Sequence, residues 1–230
     1  LILHHNKYET IMKHLSILLF GFFSFILFSA CDEDEKIQKE QTPDAEEPNE
    51  DEGNDTNETA SKILIVYFSR TGNNYPNQWL EVGHTARVAG YIAELTAGER
   101  FEIIPTVAYP DDYQQMVAIA RTEYDNNARP SIQTTIKNIA DYDTIFIGTP
   151  IWHGSVPMII RTFYEAYNLT GKTIIPFTTH AGSGLVNCMS VAREYYPQGR
   201  ILDGLAVQGT SSANAKGVVE TWLRSINVIE

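Results

Sequence analysis

Ile63-Leu64-Ile65-Val66-Tyr67-Phe68 runs directly into Ser69-Arg70-Thr71-Gly72-Asn73-Asn74. Six apolar residues without alternation describe a strand buried on both faces, the pattern of a parallel sheet covered by helices. The hydroxyl, glycine and amide residues that follow put a tight turn at the strand's carboxyl end. Such a turn presents a nest of backbone N–H donors suited to a phosphate. It lacks the Gly-Lys-Ser/Thr of a P-loop and any G-x-G-x-x-G, so neither ATP nor NAD fits it.

Working outward, similar apolar runs recur at residues 101–104, 144–148, 173–178 and 201–207. Helical patterns lie between them. Residues 85–95 place Val88, Ile92 and Leu95 on one face, and Asp111 and Asp112 are cap residues for a helix running toward Tyr124. Residues 157–167 open with a first-turn proline and supply Ile160, Phe163 and Tyr164. Residues 187–195 form a shorter helix, and Ser212 is expected to cap a last one carrying Val218, Trp222 and Ile226. Five strands alternating with five helices make an α/β fold with a doubly wound parallel sheet. Its ligand contacts then fall at the carboxyl ends of the strands.

Two further strand ends carry unusual loops. Gly148-Thr149-Pro150-Ile151-Trp152-His153-Gly154 sets a large aromatic two residues past a strand, where it reads as a stacking surface for a flat heterocycle rather than as core. Thr178-Thr179-His180-Ala181-Gly182-Ser183-Gly184 is small enough for backbone to approach a ring edge. A monophosphate cradle, a stacking platform and a Gly-rich edge together describe a flavin mononucleotide (FMN) site. Other chemistries fit less well. His84, His153 and His180 all lie in these loops, but none sits at a metal-ligand pair spacing and no carboxylate joins them. His180 with Ser183 lacks the G-x-S-x-G elbow of a hydrolase, and Cys188 reads as a small buried hydrophobe.

The chain has 230 residues and a formal net charge of -12, but the acidity is local. Residues 32–61 hold thirteen Asp/Glu and two Lys, whereas residues 62–230 hold thirteen basic and fifteen acidic side chains, a net of −2. With no basic run, nucleic acid is excluded as a partner. Two cysteines, Cys31 and Cys188, exclude a disulfide scaffold and a Cys-rich zinc site.

Residues 15–30 are sixteen apolar or small residues without a charge, preceded by Lys13 and His14. This is the form of a secretory signal starting at Met12, with residues 1–11 upstream of it. Sixteen residues fall short of the roughly 20 needed to span a bilayer. Leu27-Phe28-Ser29-Ala30-Cys31 resembles the bacterial lipobox, which implies cleavage before Cys31 and lipidation of it. Several acyl chains anchor stably where one does not, so Cys31 is expected to tether the protein to a membrane outside the cytoplasm. Residues 32–61 contain a single bulky apolar residue, Ile37, and are expected to form a disordered acidic spacer. The acidic run after Cys31 also resembles export signals of some surface lipoproteins.

Residues 62–230 resemble the flavodoxin family through VYFSRTGN (66–73), NNARP (126–130), GTPIWHG (148–154) and TTHAGSG (178–184). The resemblance implies a flavodoxin-like fold, a five-stranded parallel sheet of order 2-1-3-4-5 with helices on both faces, and FMN as cofactor. Ser69, Thr71, Gly72 and Asn73 match the family's phosphate loop, with Asn74 in place of its final Thr. Gly83-His84-Thr85 repeats that signature before the first helix, so residues 74–83 read as an insertion and Thr85 as the restored hydroxyl. Arg70 either steadies the phosphate or is merely solvated. Trp152 matches the first flavin-stacking position, flanked by Pro150, Ile151, His153 and Gly154. Thr179, His180, Gly182, Ser183 and Gly184 are expected on the second wall, with His180 near where many flavodoxins place a Tyr. The implied activity is electron transfer to an unidentified redox protein or a quinone, without a catalytic acid or base or a metal. Alternatives are an FMN-dependent NAD(P)H or quinone reductase of the same fold, and a cofactor-free binding module.

Overall fold

The computed structural model describes residues 61–230. The signal segment, the Cys31 lipidation site and the acidic spacer up to residue 60 lie outside the described residues. The apolar run found first becomes β1 (Ile63–Tyr67), an interior strand of a parallel sheet. Its neighbours are β4 (Glu99–Glu102) on one side and β5 (Thr144–Pro150) on the other. Beyond β5 comes β6 (Thr173–His180), whose outer edge carries β7 (Arg200–Ile201) and β8 (Leu205–Gln208). A short antiparallel pair, β2 (Gly72–Asn74) and β3 (Gln78–Leu80), forms a separate two-stranded sheet. The main sheet therefore has the expected 2-1-3-4-5 order.

The fifth strand comes in two pieces rather than as one run over 201–207. Its interruption, Leu202-Asp203-Gly204, lies alongside Pro176 of β6, which has no N–H to offer the ladder. The extra residue makes a bulge, and the freed Asp203 carbonyl accepts from Trp222 Nε1 at 3.0 Å.

Strand residues alternate between two cores. Leu64, Val66, Phe68, Ile145, Ile147 and Ile174 pack on one face against α3 (Met158–Ala166) and α4 (Cys188–Tyr195). Ile65, Tyr67, Phe146, Ile175 and Phe177 pack on the other against α1 (His84–Thr96) and α5 (Lys216–Ser225). The remaining helix, α2 (Tyr113–Asp125), begins at Asp112, whose carboxylate accepts from Gln115 N at 2.8 Å as the sequence suggests.

Two expectations for the last helix are corrected. Ser212 does not cap it but lies in a 3₁₀ turn over Gly209–Asn214, and the helix begins at Lys216. Val218 is 56% exposed, and the buried face is instead Val219, Trp222 and Leu223. A later start and adjacent valines explain the error, since Trp222 belongs to both candidate stripes.

Candidate functional site

The carboxyl ends of β1, β5, β6 and β8 point to one side, and the loops leaving them surround a cavity of about 350 Å³. Its wall includes Pro150, Ile151, Trp152 and His153 after β5, and Thr179, His180 and Ala181 at the end of β6. His84 at the start of α1, Gln208 at the end of β8, and Gly209 and Thr210 after it close another side.

The loop after β1 and the start of α1 are pressed together. Ser69 Oγ accepts from Ala86 N at 3.1 Å, so a loop hydroxyl caps the helix whose own N-cap is Gly83. A Cβ on Gly83 would lie 2.2 Å from Ser69 Oγ and 2.5 Å from the Arg70 carbonyl. Glycine is needed there for close approach, not for its conformation, because its φ is -64. Among the described residues, the N–H groups of His84 and Thr85 have no acceptor, leaving the positive end of the α1 dipole open.

Two side chains, one in this loop and one in α1, have roles other than those expected. Arg70 neither reaches the cavity nor is free in solvent. Its guanidinium donates to the carbonyls of Asn73 at 2.5 Å, Pro110 at 2.5 Å and Asp111 at 2.7 Å, tying the β2–β3 hairpin to the chain before α2. The Thr85 hydroxyl is buried and shares a hydrogen bond with Thr179 Oγ1 at 2.7 Å, joining α1 to β6 beneath the cavity. Thr71 is exposed, and Ser69, Gly72 and Asn73 also stand outside the cavity lining.

His84 joins three segments. The Gln78 amide donates to its Nε2 at 2.8 Å, and its Nδ1–H then donates to Ser212 Oγ at 2.7 Å. Burial, reinforced by nearby Arg87, holds this imidazole below its ordinary pKa. His180 is likewise lowered by burial; its Nδ1 accepts from Gly182 N at 2.9 Å, leaving Nε2 to carry the proton.

The loop bearing Trp152 is stiff. Trp152 and Ser155 exchange backbone hydrogen bonds, each 2.9 Å, around a two-residue turn at His153 and Gly154. Both central residues have positive φ, 50 and 71, so glycine at 154 suits the turn. Asn187 clips the loop by donating to Ser155 Oγ at 2.8 Å and accepting from Val156 N at 3.1 Å. His153 Nε2–H donates to the Val117 carbonyl of α2 at 3.0 Å.

The Trp152 indole both lines the cavity and packs inward. It meets Phe68 edge-on at 5.3 Å and Tyr109 edge-on at 5.0 Å. Tyr109 in turn donates to Glu123 at 2.8 Å, and burial raises that carboxyl above its usual range.

Gly154, Gly182, Ser183 and Gly184 stand outside the cavity lining. NNARP is also remote from the lining: Arg129 pairs with Glu165 of α3 at 2.8 Å and secures the corner after α2. Sequence reasoning missed Tyr75 at the hairpin tip and Tyr113, Met116, Val117 and Ala120 along α2. It could have found Gln208–Thr210, which follow a recognised strand end.

A family model for flavodoxins matches residues 62–226. The crystal structure of a Bacteroides eggerthii DSM 20697 protein, assigned as a flavoprotein, is 32% identical with a TM-score of 0.61 and covers 74% of this chain and 99% of its own. One from Bacteroides uniformis ATCC 8492 is also 32% identical, with a TM-score of 0.59 over 72% of this chain and 99% of its own. A Lactobacillus acidophilus NCFM flavoprotein crystallised in complex with FMN shares the fold at 23% identity and a TM-score of 0.52, covering 67% of this chain and 98% of that one. No curated protein matches the chain.

Proposed function

Because the chain belongs to the flavodoxin family, we propose that residues 62–230 bind FMN and pass electrons, and that lipidated Cys31 tethers them to a membrane outside the cytoplasm. The observation that carries this reading is the cavity bounded by Trp152 and by the open start of α1. Its volume, about 350 Å³, falls in the range of small-molecule sites. FMN, when bound, supplies reversible uptake and release of electrons.

The residues fit that group at both ends. Trp152, Pro150 and Ile151 give an apolar wall for a flat ring, held by the turn at His153 and by Asn187. The His84 and Thr85 N–H groups and the α1 dipole suit a phosphate. Arg70 is committed elsewhere, so backbone donors rather than a side-chain cation would hold the anion. The neutral His180 offers one N–H toward a ring edge.

The partner is a redox protein or a quinone. A net charge of −2 over residues 62–230 gives little long-range steering, so docking should depend weakly on salt. The apolar bay along Met116, Val117 and Ala120 favours a second reading, an FMN-dependent reductase that takes a quinone beside the ring.

Titration of the purified chain with FMN tests the proposal. Flavin fluorescence should quench at one FMN per chain and the protein should stay yellow after desalting. Absence of binding points to the cofactor-free module. NADH consumption dependent on added quinone separates reductase from carrier. For the tether, Cys31→Ser should abolish labelled fatty-acid incorporation, and unchanged labelling removes Cys31 from the account.

A further inference from the structure

Residues 74–83 read as an insertion in sequence, yet most of them belong to an anchored arm, the hairpin of residues 72–80. β2 and β3 pair Gly72 with Leu80, Asn73 with Trp79 and Asn74 with Gln78. Opposed residues share a face, so Leu80, Gln78 and Asn74 face inward while Trp79 faces out. Leu80 is buried, Gln78 bonds His84, and Asn74 lines the cavity. Trp79 is 60% exposed and its indole N–H donates to Glu81 at 2.7 Å.

The base of the arm is tied down from several directions. Arg70 grips the Asn73 carbonyl and the Pro110 and Asp111 carbonyls together. Asn73 N donates to the Asp111 carbonyl at 3.0 Å, and Gly72 is packed so close to Asp111 that a Cβ would lie 2.6 Å from its Oδ1. At the tip, Asn77 N closes on the Asn74 carbonyl at 2.7 Å, with Asn77 at a φ of 77.

That tip holds Tyr75 at the rim of the cavity with its side chain largely exposed. An anchored aromatic beside a cavity that already has an indole wall is placed to cover a flat ligand, since stacking needs a ring but little else. We infer that Tyr75 is a ligand-contacting residue, supplying from the hairpin an aromatic face for the isoalloxazine ring. The end of β6 and the loop after it give the cavity wall only Thr179, His180 and Ala181, without a large aromatic. This assignment rests on the FMN reading.

The test titrates the full chain, Tyr75→Ala, Tyr75→Phe and Trp79→Ala with FMN and with riboflavin, following flavin fluorescence. Tyr75→Ala should weaken both ligands by about tenfold or more, while Tyr75→Phe and Trp79→Ala stay within about twofold of the parent. Parent-like binding by Tyr75→Ala overturns the assignment. So does an equal loss in Trp79→Ala, which makes the hairpin merely structural, or a loss confined to FMN, which puts Tyr75 at the phosphate. If the parent itself binds no FMN, the proposed function fails and takes this assignment with it.

Discussion

Trp152→Ala should weaken FMN binding by about five- to hundredfold, the range expected for loss of one aromatic stacking partner. The ligand-free protein should also melt lower. Trp152 packs edge-on against Phe68 and Tyr109, so alanine leaves a gap over a core residue as well as an empty platform. Edge-to-face pairs contribute about 0.5–1.5 kcal/mol each beyond their buried area. A loss of about 1–3 kcal/mol corresponds to a drop of roughly 3–10 °C for a domain of this size. Trp152→Phe should recover part of both effects. Fluorescence titration with parallel thermal melts reads them together. Unchanged FMN affinity alongside a lower melting temperature assigns the indole to the core alone.

Gly83→Ala should damage the phosphate end more than any side-chain truncation there. The new Cβ meets the Arg70 carbonyl at 2.5 Å, and a backbone atom cannot swing aside as a side chain can. The β1 loop must then lift away from α1, at a cost of about 1–3 kcal/mol. Lifting it also strips Ser69 Oγ from Ala86 N and disorders the donors at His84 and Thr85. FMN should weaken about ten- to hundredfold more than riboflavin, which has no phosphate; this corresponds to one hydrogen bond to a charged group. Urea denaturation gives the stability change and paired titrations give the ligand difference. Equal weakening of both ligands places the phosphate elsewhere.

What the sequence made legible follows from what kind of interaction decides each feature. Strands buried on both faces show as unbroken apolar runs, so β1, β5 and β6 could be read directly, while their order came from the resemblance to flavodoxins. The place of Trp152 on the cavity wall was legible because the strand end before it was, but its inward packing on Phe68 and Tyr109 was not. The break between β7 and β8 was not, since it depends on Pro176 in a neighbouring strand. Arg70 beside a phosphate-type loop looks like a ligand contact, but two of the three carbonyls it binds, those of Pro110 and Asp111, lie about forty residues on and meet it only in the folded chain. Thr85 misled for the same reason, because its partner Thr179 comes from the end of another strand. The wall contributed by Tyr113, Met116 and Ala120 carries an ordinary amphipathic pattern, and nothing local distinguishes a helix face turned to a cavity from one turned to core.

A crystal structure of the protein grown with FMN decides where the flavin sits. The flavin ring should lie in the cavity of about 350 Å³, against Trp152, with its phosphate at the His84 and Thr85 N–H groups that open α1. Flavin bound at another place, or a cavity left without it at saturating FMN, would contradict the account.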